Sequence, residues 1–211
     1  MKEYWQTRYL KDGKIWGIAP SKTTKHALSL FQEKNVKDIL VPGAGYGRNS
    51  RLFSDNNFDV VGIEISDDAC NIAKSHDPKT KFIKGSVLDM PFDNESYDAI
   101  YCFNLLHLFL QNERNLFLKN CYSKLNADGL VYFVVFSEKE KSYGKGKEIE
   151  INTYESKPGR PIHYFSEEDL INHFKDFSVI QTGLMEDKEN HGDMGEHIHI
   201  LRYIFAQKNK K

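Results

Sequence analysis

Three glycines at alternate positions form the most informative stretch of the sequence. Gly43, Gly45 and Gly47 occur in ILVPGAGYGRNSRLF, after an apolar run and before a polar, helix-compatible segment. A glycine turn between a strand and a helix lets a ligand approach bare backbone at the carboxyl end of a sheet. The spacing is GxGxG rather than the GxGxxG of dinucleotide-binding proteins. The pattern predicts a site for a nucleotide-like ligand and leaves its identity open.

Two acidic residues follow at positions where they can reach the same ligand. Glu64 ends a second strand-like segment, and a carboxylate there accepts hydrogen bonds from both hydroxyls of a ribose. Asp89 follows a third strand, where it can accept from the exocyclic amine of an adenine while Val87, Leu88 or Met90 packs on the ring. Glu64 suits NAD and S-adenosylmethionine equally well. Dehydrogenases rarely keep the signature around Asp89, so this residue favours S-adenosylmethionine.

Strand-like and helix-like segments alternate through the first two thirds of the chain, which predicts a parallel sheet covered by helices. FSVIQTG and EHIHILRYIFAQK have no crossover helix between them and predict an antiparallel pair. The expected fold class is α/β, a doubly wound, Rossmann-like, seven-stranded and mostly parallel sheet with a C-terminal antiparallel strand pair. The predicted strands cover 38–42, 58–64, 81–86, 97–103 and 129–136, and the predicted helices 21–34, 46–55, 66–76 and 112–125.

We expect a single domain over residues 1–211. Its parts are an N-terminal cover and helix (1–35), a cofactor-binding half (36–137), a flap or loop (138–165), and a C-terminal helix with antiparallel strands (166–211). Residues 138–162 are polar and contain glycine and proline, which predicts a long loop.

Composition limits the partners of this protein. The 211 residues include 29 basic and 30 acidic side chains, a formal net charge of -1, and this lack of a basic excess argues against nucleic acid. Three cysteines without a CxxC pattern predict free thiols in a reducing compartment. With no signal-peptide core and no long apolar run, we expect a cytoplasmic protein that does not enter a membrane, either a monomer or a homodimer.

Five motifs in order resemble those of class I S-adenosylmethionine-dependent methyltransferases. They are VPGAGYGRNS, VVGIEIS, GSVLDMPF, YDAIYCFNLLH and LNADGLVYF, between about residues 37 and 136. The resemblance implies S-adenosyl-L-methionine as cofactor and S-adenosyl-L-homocysteine as product. It also implies in-line methyl transfer to a small-molecule thiol, metalloid oxyanion, amine or hydroxyl. YWQTRY and WGIAPS resemble the leading segment of tellurite-resistance and thiopurine methyltransferases, and GRNS is similar to the tellurite-resistance branch.

The resemblance also assigns residues to the cofactor. The glycine turn would line its methionine part, Glu64 would hold the ribose, and Ile65 would pack on the adenine. Pro42-Gly43 departs from the acid-leucine-glycine run of many members, with Val41 near the place of the missing acid. The residues expected at the cofactor are Trp5, Arg8, Gly43, Ala44, Gly45, Gly47, Arg48, Glu64, Ile65, Ser66, Val87, Leu88, Asp89, Phe103, Asn104 and His107.

Catalysis of methyl transfer needs a base only if the nucleophile must lose a proton, so the catalytic residue stays unknown. The candidates are Arg8, Asn104, His107 and His163. Asn104 could instead cap a short helix, His107 could be an interior histidine, and Arg8 could be a surface charge. The acceptor is expected near Tyr4, Trp5, Arg8, Tyr9, the 144–164 segment and Arg160, which could clamp an anion.

Two histidines on the final strand raise the question of a metal. His197 and His199 point to one side of the strand, with His191 nearby, but no carboxylate or cysteine in the pattern completes a ligand set. No metal is therefore predicted.

Two other functions stay open at this point. One is a non-catalytic module that binds S-adenosylmethionine. The other is a nicotinamide-dependent oxidoreductase, against which the GxGxG spacing and Asp89 count. The run FNLLH after the fourth strand also argues against amino-methylation of DNA bases, because an Asn-Pro-Pro-aromatic run is absent there.

Overall fold

Seven strands form the central sheet of the computed structural model, which describes residues 2–90, 95–190 and 196–209. The spatial order is β3-β2-β1-β4-β5-β10-β9, with β1 to β5 parallel and β10 antiparallel to β5 and β9. This confirms the predicted fold class. The strands are β1 (Asp38–Pro42), β2 (Asp59–Glu64), β3 (Lys81–Lys84), β4 (Tyr97–Phe103), β5 (Leu125–Phe136), β6 (Lys147–Glu150), β7 (Thr153–Lys157), β8 (Arg160–His163), β9 (Phe177–Asn190) and β10 (Glu196–Lys208).

Six helices accompany the strands in the described ranges, and several begin where the sequence supplies a cap. Ser66 accepts a hydrogen bond from the backbone of Ala69, and two aspartates occupy the first turn of the helix that follows. Ser21 caps the helix that begins at Lys22, because its side chain accepts a hydrogen bond from the backbone N–H of Thr23. The helices are α1 (Lys2–Asp12), α2 (Lys22–Glu33), α3 (Ser50–Asp55), α4 (Asp67–His76), α5 (Gln111–Ser123) and α6 (Glu167–His173).

The helix after the glycine turn starts later than the sequence pattern predicts. The prediction of a helix from residue 46 is wrong, because α3 begins at Ser50. Gly45 and Gly47 have φ angles of 57° and 85°, which lie outside the right-handed helical region. Residues 43–49 therefore form an extended turn that keeps its backbone at the end of the sheet.

The predicted loop over 138–162 contains a second, smaller sheet. Strands β6, β7 and β8 are antiparallel, in the order β6-β7-β8. The sequence pattern does not predict β6, because this strand is largely exposed and its residues show no apolar alternation. Ile162 of β8 packs with Leu108 and Tyr164, and Trp5 of α1 lies against the same cluster. The small sheet thus covers the carboxyl end of β4.

The core lies on both faces of the central sheet. On one face Phe117 of α5 and Phe174 are fully buried against β4 and β5. On the other, Phe31 of α2 and Phe53 of α3 are fully buried. Burial of each ring stabilises the fold by about 1.5–3 kcal/mol. These two layers fix the ends of β1, β2, β4 and β5 at one edge of the sheet.

Cys70, Cys102 and Cys121 are buried free thiols. Burial raises the pKa of the Cys70 thiol to about 11. No helix in the described part of the chain combines the length and the apolar character needed to span a membrane.

Candidate functional site

The three glycines of the turn have different neighbours. All three have positive φ angles. A Cβ on Gly43 would lie 2.9 Å from Leu105 Cδ2, and a Cβ on Gly45 would lie 2.9 Å from the hydroxyl of Tyr9. Both glycines line a cavity of about 290 Å³ at the carboxyl end of the sheet. The backbone of Gly43 and Gly45 is therefore open to a ligand.

Gly47 has a structural role in this arrangement. A Cβ there would lie 2.8 Å from the Cβ of Asp77 and 3.3 Å from Phe82. The Asp77 carboxylate accepts hydrogen bonds from the hydroxyls of Ser50 and Ser54, which lie on α3. Gly47 thus lets α3 pack closely against the segment after α4, away from the cavity lining formed by the described residues.

Glu64 ends β2 and lines the same cavity, where only 6% of its surface is exposed. One carboxylate oxygen accepts from the backbone N–H groups of Ile65 (2.9 Å) and Ser66 (2.8 Å). The other oxygen accepts from the N–H of Gly45 at 2.9 Å. Burial raises the pKa of Glu64, and these three hydrogen bonds oppose the rise. The carboxylate is thereby fixed beside the glycine turn and keeps acceptor capacity for a ligand.

The predicted adenine side of the site forms a short 3₁₀ turn over Val87–Asp89. Ser86 caps this turn, and its hydroxyl accepts from the N–H of Leu88 at 3.2 Å. Val87 and Leu88 line the cavity together with Ile65. Asp89 is exposed and lies outside the lining formed by the described residues. Pro91 and Phe92 of the same motif lie outside the described residues.

Aromatic side chains from the N-terminal segment cover the cavity. Trp5 and Tyr9 of α1 lie 6.0 Å apart between ring centroids, and Trp16 lies 6.1 Å from Trp5. All three rings line the cavity. Gln6 fixes α1 to α4, because its side-chain oxygen accepts from the hydroxyl of Ser66 and the N–H of Asp67. The cover is thus attached to the start of α4, shortly after Glu64.

The two arginines expected at the cofactor have different positions. Arg8 forms an ion pair with Asp12 at 2.9 Å on the outer part of α1, and it is absent from the cavity lining formed by the described residues. Arg48 is buried and lines the cavity. Its guanidinium carbon lies 5.4 Å from the ring centre of Phe103, and it donates to the carbonyl of Trp16.

The end of β4 places two polar side chains on the cavity wall. Asn104 has a φ of 52°, a left-handed angle that asparagine tolerates better than most residues. Its buried Oδ1 has no hydrogen-bond partner among the described residues. His107 is 2% exposed, and its Nδ1 accepts from the N–H of Phe136 at 3.3 Å. Burial lowers the pKa of His107 well below its ordinary value, and the positive charge of Arg160 lowers it further. The neutral ring therefore carries its proton on Nε2 and acts as a hydrogen-bond donor.

Arg160 brings a positive charge from β8 to the same cavity. Its guanidinium carbon lies 5.3 Å from the ring centre of Tyr4 and 5.9 Å from that of Trp5. Its Nη1 donates to the hydroxyl of Tyr4, while its buried Nε has no partner among the described residues. A guanidinium stacked on aromatic rings is oriented for a planar anion.

His163, a candidate for proton transfer, faces elsewhere. Its Nδ1 lies 2.8 Å from the hydroxyl of Thr153 and its Nε2 lies 2.6 Å from Asp169. Both ring nitrogens are thus engaged by residues of β7 and α6, and His163 is not in the cavity lining formed by the described part of the chain. Its contacts are structural.

Several cavity residues were not among the site residues predicted from the sequence. Trp16 stood in a quoted aromatic motif, and Phe136 ends a predicted parallel strand, so each carried a signal. Tyr101 and Leu105 stand in the quoted motif around β4. Phe109, Glu113 and His199 are further lining residues that only the topology of the fold brings to the cavity.

Comparison with protein families identifies the class of this domain. Residues 40–133 match the family model described as a methyltransferase domain. A parallel sheet with a glycine turn after β1 and an acid at the end of β2 is the arrangement of a nucleotide-binding α/β domain. This match and the shared fold make residues 40–133 similar to a class I S-adenosylmethionine-dependent methyltransferase domain.

Two curated relatives share part of their length with this chain. The 24-methylenesterol C-methyltransferase 2 of Arabidopsis thaliana is 35% identical over 82 residues, 36% of this chain and 23% of that protein. The tRNA N(3)-methylcytidine methyltransferase Mettl2 of Drosophila melanogaster is 27% identical over 175 residues, 76% of this chain and 51% of that protein. The chain therefore spans about half or less of these two proteins.

Solved structures share the fold over almost the whole chain. A protein studied for the conversion of a disulfide bond into a thioacetal group during echinomycin biosynthesis has a TM-score of 0.78 at 13% identity, covering 99% of this chain and 92% of that one. The 1,6-didemethyltoxoflavin-N1-methyltransferase of Burkholderia thailandensis was solved with bound 1,6-didemethyltoxoflavin and S-adenosylhomocysteine. It has a TM-score of 0.72 at 18% sequence identity, covering 99% of this chain and 87% of that one. TehB of Haemophilus influenzae has a TM-score of 0.68 at 14% sequence identity, covering 97% of this chain and 67% of that one. At such identities the likeness concerns the fold alone.

Proposed function

We propose that this protein transfers a methyl group from S-adenosylmethionine to a small-molecule acceptor. One observation carries the proposal. The glycine turn and Glu64 share a single cavity with Arg160 of β8 and with Asn104 and His107, which follow β4. Arg160 lies on the small sheet, outside the elements that carry the glycine turn and Glu64, and its charge can serve a second molecule beside the cofactor.

The residues around the glycine turn fit S-adenosylmethionine. Gly43 and Gly45 expose backbone to the cavity, Glu64 offers carboxylate oxygens to ribose hydroxyls, and Leu88 offers an apolar surface to a base. The unsatisfied Oδ1 of Asn104 is an acceptor for a further polar group. When bound, the cofactor supplies a methyl group attached to a positively charged sulfur.

Arg160 and His107 define the acceptor that this cavity favours. Arg160 supplies a fixed positive charge, and His107 supplies an N–H donor rather than a base. Both groups favour an acceptor that carries an anionic or hydrogen-bond-accepting group. A thiolate, a metalloid oxyanion or an uncharged amine fits this set, because none of them needs a proton removed before it attacks.

The contribution of the chain to the rate is the placement of the two reactants. Trp5, Tyr9 and Trp16 line the cavity and pack against one another, so they offer it an apolar cover. Holding reactants in line can supply about 7–11 kcal/mol of the barrier. No proton transfer by the protein is required for such an acceptor.

The test is an acceptor screen that detects S-adenosylhomocysteine by mass spectrometry, with cofactor binding measured in parallel by calorimetry. Cofactor binding together with turnover of a thiol, metalloid or amine supports the proposal. Tight binding of S-adenosylmethionine without any turnover would instead favour a non-catalytic binding module. Tighter binding of NAD than of S-adenosylmethionine would contradict the placement of the cofactor.

A second candidate, methylation of an RNA base, follows from the 27% identity to the Drosophila tRNA methyltransferase. The formal net charge of -1 counts against it, because binding of a phosphate backbone depends on clustered basic side chains. Transfer RNA belongs in the same screen. Product formed with transfer RNA, and with none of the small molecules, would replace the first candidate by this one.

A further inference from the structure

The turn after β5 brings a buried carboxylate to the two histidines of β10. Glu140, His197 and His199 each offer a ligand atom, and these atoms all lie within 4.8 Å of one another. The sequence alone could not predict this cluster, because Glu140 is nearly sixty residues away from the two histidines. The antiparallel pairing of Leu201 with Phe136 places the start of β10 beside the end of β5.

The side chain of Glu140 is held in position by β10. It is 4% exposed, one of its oxygens accepts from the N–H of Ile200 at 2.7 Å, and the other lies 3.0 Å from Nδ1 of His199. The 3.0 Å contact is a hydrogen bond between His199 and the carboxylate. Two ligand atoms around a tetrahedral ion with bonds of about 2.0–2.2 Å lie about 3.3–3.6 Å apart, so a separation only a few tenths of an ångström larger would let an ion replace the shared proton.

The two histidines point to the same side of β10, since they are two residues apart on a strand. Their ring centroids are 4.8 Å apart. His197 is exposed, so rotation of its side chain can bring its nitrogen closer without disturbing the core. His199 is held by its contact with Phe136, at 5.1 Å between ring centroids, and lines the cavity of the candidate site.

We propose that Glu140, His197 and His199 bind a divalent transition-metal ion at the edge of the cavity. Two imidazoles and one carboxylate are a ligand set of zinc enzymes and of other first-row metal centres. Magnesium is disfavoured, because it prefers oxygen ligands and several waters. Three protein ligands leave a coordination position for water or for a donor atom of a bound molecule. The site does not depend on methyl transfer.

The experiment uses the full chain without a histidine tag, stripped with a chelator and dialysed. Zinc binding is measured by calorimetry and by elemental analysis after gel filtration, and the cobalt complex by its visible spectrum. We expect one zinc ion per chain, no comparable binding of magnesium, and a cobalt spectrum typical of nitrogen and oxygen ligands. Absence of stoichiometric zinc binding in the wild-type chain would overturn the proposal.

Variants separate this site from adventitious binding. His197→Ala, His199→Gln and Glu140→Gln should each weaken zinc affinity more than about tenfold, as loss of even a supporting group does at known sites. His26→Gln is the matched control, because His26 lies on α2, bonded to Tyr132, outside the cluster. His197→Ala keeps the test valid if a buried variant fails to fold, since His197 is exposed. Equal zinc affinity in His197→Ala and the wild type would refute the proposal.

Discussion

The Glu64 carboxylate accepts hydrogen bonds from backbone N–H groups of the glycine turn and of the two residues that follow Glu64. Substitution by glutamine removes the charge and keeps nearly the same side-chain shape. Glu64→Gln should weaken binding of S-adenosylhomocysteine by about 1.5–3 kcal/mol, the usual value of a hydrogen bond to a charged group. Calorimetry measures this loss. Glu113→Gln is the matched control, because Glu113 also lines the cavity while its carboxylate accepts from the N–H of Leu110. An equal loss in both variants would remove the special role of Glu64.

The pH dependence of cofactor binding tests the same carboxylate. Burial raises the pKa of Glu64 above the ordinary value of about 4.3. In the protein without ligand, folding therefore favours the protonated form of Glu64. The contribution of this group to the free energy of unfolding falls as the pH rises from about 4.3 through the higher pKa of the folded protein. Ribose hydroxyls would favour the charged form, so cofactor affinity should rise over this window and then level off. In Glu64→Gln the rise should be absent; a parallel rise in both proteins would assign it to another group.

Gly47 and Gly45 differ in their neighbours, and their substitution should have different effects. Gly47→Ala places a Cβ 2.8 Å from Asp77 at a positive φ, which should lower the free energy of unfolding by about 1–3 kcal/mol. Gly45→Val also strains the backbone at a positive φ, but it should in addition abolish cofactor binding, because a branched side chain would enter the cavity. Urea denaturation and calorimetry separate the two effects. Loss of cofactor binding in a well-folded Gly47→Ala protein would contradict this division.

At the scale of elements, Asp169 links α6 to β8. Burial opposes its charge, but hydrogen bonds from His163 and His173 outweigh this and hold its pKa below the ordinary value. Its stabilising contribution is therefore present above about pH 3.9 and is lost as pH falls below it. Asp169→Asn should lower the free energy of unfolding at pH 7 by about 1–3 kcal/mol.

The Asp169→Asn effect is measured by urea denaturation at two pH values. The difference from wild type should shrink at pH 3, where the wild-type carboxylate begins to lose its advantage. Asp12→Asn is the control, because Asp12 forms only a partly exposed i,i+4 pair with Arg8 and should contribute less than about 0.5 kcal/mol. A difference that stays constant between pH 7 and pH 3 would show that the charge of Asp169 is not responsible.

The first helix acts as a cover, and Trp5 is its central contact. Trp5 packs on Tyr9 and Trp16, and Arg160 lies over its ring. Trp5→Ala should open this cover and speed the release of S-adenosylhomocysteine several-fold, as measured by stopped flow. Leu10→Ala is a control on the same helix, where Leu10 is 73% exposed. Equal release rates in the two variants would assign the cover a merely structural role.

At the scale of the whole molecule, the central sheet could be predicted because its buried strands are nearly continuous apolar runs, as in β5. The start of α3 could not, because positive φ angles at Gly45 and Gly47 override the polar, helix-compatible pattern. β6 was missed because it is largely exposed and carries no apolar alternation.

Some residues of the candidate site could be predicted from the sequence, and others could not. Gly43, Gly45 and Glu64 could be predicted, because local sequence places them at the ends of neighbouring strands. Glu140 and His199 could not be paired, because the antiparallel register of β5 and β10 alone brings them together. Pairing across a sheet leaves no local pattern in the sequence.

A crystal structure with S-adenosylhomocysteine would show whether the cavity beside Glu64 holds the cofactor. We expect the ribose hydroxyls to contact the Glu64 carboxylate, the amino-acid end to lie against the backbone of Gly43 and Gly45, and the adenine to pack on Leu88. The ligand's sulfur should point towards Asn104 and Arg160. A ligand bound elsewhere, with the cavity beside Glu64 empty at saturating concentration, would show that this cavity is not the cofactor site.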